Sequence, residues 1–82
     1  MSFDELINKI QEQVASRRQE IVQFMRDICA IPSMDSKIGP VGQRIADEMK
    51  RLNFDEVRFD KMGNILGRIG HGKQVIVFDS HI

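Results

Sequence analysis

Apolar residues fall at Phe3, Ile7, Ile10, Val14, Ile21, Met25 and Ile28. Steps of three and four keep such positions on one stripe of an α-helix. Ser2 and Glu5 stand at capping-box spacing ahead of that stripe, so the Ser hydroxyl can accept an otherwise orphaned amide of the first turn. Glu5 and Lys9 add an i,i+4 pair on the polar side. The stripe is interrupted once, at Arg17-Arg18, and Pro32 ends it, because Pro moves Ile31 out of helical backbone. The pattern predicts one helix from Phe3 to about Ala30, about 42 Å long at 1.5 Å per residue. Ser33 to Gly39 reads as a polar connector. A second helix opens at Gly39-Pro40, where a proline's missing amide costs nothing. Its apolar face is Val41, Ile45, Met49 and Leu52. Asn53 is placed to end it in left-handed backbone, with Phe54 folding back as the hydrophobic contact.

Beyond Phe54 the period changes from 3.6 to 2. Glu56-Val57-Arg58-Phe59-Asp60 alternates and reads as a half-exposed strand, Lys61 to Asn64 as a turn, and Ile65 to Ile69 as the returning strand. Gly67 weakens that second strand or marks a bulge. Gly70 to Lys73 is a further turn. Val75-Ile76-Val77-Phe78 is continuously apolar, as in a strand buried on both faces. Two helices and a hairpin cover one face of such a strand at most, and the sequence ends four residues later at Ile82. The expectation is therefore an α/β arrangement of two helices, a β-hairpin and one buried core strand of a mixed sheet. Residues 1–82 would be an incomplete N-terminal part of a single catalytic domain.

Composition narrows the function. Twelve basic and twelve acidic residues cancel, so no basic footprint for nucleic acid exists, and Trp and Tyr for base stacking are absent. No apolar run approaches the ~18 residues of a membrane span. Cys29 is the single cysteine, which excludes an intrachain disulfide. An acidic start without an apolar core is unlike a secretory leader, so the expected location is cytoplasmic. Neither nucleic acid nor membrane is an expected partner.

The chemistry-bearing stretch is Asp79-Ser80-His81-Ile82. Ligands of open α/β sheets bind beyond the carboxyl ends of strands, and a His there is a metal-ligand candidate, with strand-end capping or a partly wet core as the bland alternative. His71 lies between two glycines and reads as a turn residue with a structural or solvent role. Cys29 reads as a small buried hydrophobe rather than a nucleophile. Ser33 follows a Pro without an identifiable base and reads as a loop cap. Gly39-Pro40-Val41-Gly42 lacks the Lys and spacing of a phosphate loop.

Four stretches in order carry a resemblance: Cys29-Ala30-Ile31-Pro32-Ser33 closing the first helix, Leu52-Asn53-Phe54 closing the second, Met62-Gly63-Asn64-Ile65, and Val75 to Ile82. Together they resemble the opening of the dinuclear-zinc peptidase and deacylase family, which includes carboxypeptidase G, acetylornithine deacetylase, succinyl-diaminopimelate desuccinylase and aminoacylase. The wording around Met62-Gly63-Asn64 and Asp79-Ser80-His81-Ile82 is most similar to the branch of selenium-metabolism hydrolases. The resemblance covers the whole chain but only the opening of the family's catalytic domain.

The resemblance implies a zinc-exopeptidase-like catalytic domain, and a metallopeptidase or amidohydrolase that cleaves a peptide or N-acyl amino acid amide bond with metal-activated water. It implies that His81 is one ligand of the first of two zinc ions, for which cobalt or manganese can substitute. The family's bridging Asp stands two residues further on, and its Glu base and other ligands later still. All of these fall beyond Ile82. One His cannot hold a catalytic zinc, which needs about three protein ligands, so the 82-residue chain by itself is expected to hold no metal and to be inactive. Catalytic residues within it are none. The alternative from another class is a small helical interaction or dimerisation module without catalysis, resting on the long amphipathic stripe. Either way the unpaired apolar surface predicts self-association or association with the rest of a parent domain.

Overall fold

The computed structural model describes residues 2–32 and 39–81. They fall into two compact units, residues 1–30 and 31–82. Ser33, and nearly all of the connector expected after Pro32, lies outside the described residues.

The first unit is helical, in two pieces: α1, Phe3–Ser16, and α2, Arg18–Ala30. Ser2 caps α1 in extended backbone, its Oγ accepting the Glu5 amide at 3.1 Å, as its spacing predicts. The expected single helix is corrected at Arg17. The Ser16 hydroxyl donates to the Gln13 carbonyl at 2.8 Å, the acceptor an unbroken α-helix would give to the Arg17 amide. That amide turns instead to the Val14 carbonyl at 3.2 Å. Arg17 takes φ −104° and ψ 14°, close to the sparsely populated bridge region. Helical bonding resumes when the Ile21 amide reaches the Arg17 carbonyl at 3.0 Å. The break falls where polar residues interrupt the stripe, so no apolar packing opposes it.

The second unit is a helix on a hairpin. Helix α3 spans Gly39–Arg51. It closes as expected: Asn53 takes φ 63°, the Asn53 amide bonds the Lys50 carbonyl at 3.0 Å, and the Phe54 amide bonds the Met49 carbonyl at 3.1 Å. This pair of bonds is a Schellman motif. Lys50 and Arg51 complement the carbonyl end of the helix dipole. Strands β1, Glu56–Phe59, and β2, Ile65–Arg68, pair antiparallel with Val57 opposite Gly67 and Phe59 opposite Ile65.

Alternation turns Val57, Phe59, Ile65 and Gly67 to one face of the hairpin. A Cβ on Gly42 of α3 would meet Ile65 Cδ1 and Phe59 Cε1 at 3.4 Å, so α3 lies over that face. Val41, Gly42 and Ala46 are buried. Gly67 marks no bulge, because the ladder runs through it in register. It marks a close approach: a Cβ there would lie 2.7 Å from both Met49 Sδ and Phe54 Cδ2. On the opposite face Glu56 joins Arg58 and Arg68, each at 3.2 Å.

The turn is built by Asp60. Its Oδ1 accepts the Met62 and Asn64 amides and its Oδ2 the Asn64 side-chain amide, all at 2.9 Å. Gly63 supplies the left-handed step at φ 86°.

The buried core strand is corrected. Val75, Ile76, Val77 and Phe78 form no strand and are 78%, 81%, 81% and 93% exposed. The sheet of the described residues has two strands, both in the hairpin, rather than a mixed sheet. The continuous apolar run specifies burial on two faces, and here neither face is covered.

Candidate functional site

His81 follows that exposed run. It is itself exposed and lies outside any helix or strand. The rigid strand end on which the sequence places it is therefore not formed, and Asp79 and Ser80 beside it are also exposed. Among the described residues no group of three or more His, Cys, Asp or Glu side chains could hold a metal ion. The donor set of the described residues does not fit a catalytic zinc, because a single imidazole leaves the ion short of its usual ligands. Cys29 is an exposed thiol, which corrects its reading as a buried hydrophobe: it lies on a helix whose described residues are none of them buried.

The polar groups that do converge sit at the open end of the hairpin. The Asp55 amide donates to the Arg68 carbonyl at 2.9 Å. Its carboxylate accepts the Gly70 amide at 2.6 Å. The Arg68 guanidinium in turn donates to the Gly70 carbonyl at 2.6 Å. Both polar groups of Gly70 are thus held by side chains, and its φ of 88° is one that a residue with a Cβ rarely adopts. His71 joins this ring, its Nδ1 standing 3.0 Å from Arg68 Nη1. A guanidinium carries donors alone, so Nδ1 is the acceptor in that contact. His71 thus makes a structural contact, but the turn expected over Gly70 to Lys73 is not formed as read: no turn lies at residues 69–72, and the bend falls at Lys73 and Gln74. The ring of contacts was not read from the sequence. Its signal was the pairing of an Asp just before β1 with a Gly just after β2, which antiparallel register brings together.

Two carboxylates have pKa values below their ordinary ones. The Asn64 side-chain amide, then the Asn64 backbone amide, hold Asp60 down. Glu48 is held down first by its hydrogen bond to Arg51; desolvation, the next cause, opposes this, and the hydrogen bond to Arg44 at 2.9 Å adds to the lowering. Asp60 serves the turn and Glu48 the surface of α3.

The larger feature is apolar. Phe3, Ile10 and Val14 on α1 are 76%, 54% and 56% exposed, and Ile21 and Met25 on α2 are about as open. The stripe predicted from the sequence is present and faces outward. No helix among the described residues is long and apolar enough to cross a membrane.

The chain is similar to the uncharacterized protein YgeY of Escherichia coli K12, with 41% identity over 73 residues. YgeY of Escherichia coli O157:H7 shows the same identity over the same length. The match takes in 89% of this chain and 18% of YgeY, so the chain spans less than a fifth of the length of these relatives. No family model matches the chain, and no solved structure matches it.

Proposed function

We propose that this chain acts by association: it is a helix-and-hairpin unit whose apolar faces are covered by further protein. The observation that carries this is the exposure of the α1–α2 stripe together with Val75 to Phe78. A large apolar side chain left wet forfeits roughly 1.5–3 kcal/mol relative to burial, so covering even a few of them drives association. The test is sedimentation of the 82-residue chain at micromolar concentration, beside Ile10→Glu and Phe78→Glu. The expected result is concentration-dependent assembly that each substitution weakens. A wild-type monomer with a sharp, concentration-independent melt would overturn the reading.

The assembly proposed for it is a metal-dependent amide hydrolase, acting on a peptide or N-acyl amino acid, to which this chain brings His81 as one zinc ligand. The support is the ordered resemblance ending in Asp79-Ser80-His81-Ile82, alongside relatives much longer than the chain. On this reading the other zinc ligands come from outside the chain. A chimera tests it, with this chain replacing the matching stretch of E. coli YgeY and zinc per polypeptide measured after folding is verified by circular dichroism. His81→Ala is expected to lower zinc content, and His71→Ala to leave it unchanged. A folded chimera without zinc, or one in which His81→Ala keeps all of it, would leave the helical association module without catalysis as the standing function.

A further inference from the structure

We draw no further inference here: the strongest candidate, the outward apolar stripe of α1 and α2 from Phe3 to Met25, belongs to the association surface already described, and nothing in the structure shows which partner covers it.

Discussion

Replacing Gly67 with Ala tests whether α3 and its closing turn really lie against the hairpin. The added Cβ would stand 2.7 Å from Met49 Sδ, 2.7 Å from Phe54 Cδ2 and 2.9 Å from Phe54 Cε2. Ordinary carbon contacts lie at about 3.5–4.0 Å, so each neighbour must retreat by close to an ångström. The Met49 thioether can swing away, since its side chain is long and unbranched. Phe54 has less freedom, because its amide is tied to the Met49 carbonyl by the Schellman turn. Overpacking of this kind costs about 1–3 kcal/mol. Ala also restricts the unfolded chain, which returns about 0.4–1 kcal/mol. The net expectation is a loss of about 1–2 kcal/mol. Native-state hydrogen exchange at the Arg58 and Leu66 amides, which the register places at a hydrogen-bonded position of the ladder, reads it locally: 1.4 kcal/mol is a tenfold change, so those amides should exchange about 5–30 times faster. Gly42→Ala is the control. Its Cβ would meet Ile65 and Phe59 at an ordinary 3.4 Å, and Ala favours helix over Gly by about 0.5–1 kcal/mol, so exchange should slow. If Gly67→Ala exchanged as slowly as wild type while Gly42→Ala behaved as expected, the close approach at Gly67 would be refuted.

Asn53→Gly should leave the α3 terminus intact, whereas Asn53→Val should destabilise it by about 1–2 kcal/mol, because φ 63° sets a branched Cβ against the backbone; the midpoint of a urea melt decides. Asp55→Ala should free the Gly70 amide, seen as faster exchange at Gly70 with little change at Leu66, and equal protection at Gly70 in both proteins would contradict the ring of contacts drawn around it. For Asp60 the folded pKa lies below the ordinary 3.8, so its contribution is fully present above that value and is lost as pH falls through the depressed one; amide shifts of Met62 and Asn64 should move only in that acid range, and movement near neutrality would count against the assignment. The 82-residue chain should not hydrolyse N-acetyl amino acids with added zinc, and chelator-sensitive cleavage would show that it holds a complete site.

What the sequence made legible was local chemistry. The Ser2 cap, the left-handed Asn53 and the Lys61–Asn64 turn each depend on contacts within a few residues, and each is formed. The change of period from 3.6 to 2 located α3 and both strands within a residue or so. Contacts distant in sequence were less legible. The packing reason for Gly67 needs Met49 and Phe54 brought over it, and a lone glycine in a strand says only that something is unusual. The Arg17 break depends on a hydroxyl competing with an amide for one carbonyl, a choice that periodicity does not see. The exposure of Cys29 depends on what covers α2, which no pattern along α2 records.

The same division bears on the candidate site. A strand is defined by its neighbours: its amides and carbonyls must pair across the ladder, whereas a helix satisfies most of its own. Val75 to Phe78 therefore has the composition of a core strand, yet it cannot become one without a second edge to pair with and apolar surface on both sides. The hairpin supplies edges, but its outer face carries the Glu56, Arg58 and Arg68 pairs, and its inner face is already under α3. His81 inherits this dependence. Under the hydrolase proposal its geometry would be set only when the run before it is paired, so any competence as a metal ligand would follow from association rather than precede it. On that proposal, loss of association through Phe78→Glu should cost the zinc of the YgeY chimera as surely as loss of the imidazole, whereas the reverse need not hold: His81→Ala would remove the proposed ligand and leave the apolar run free to pair.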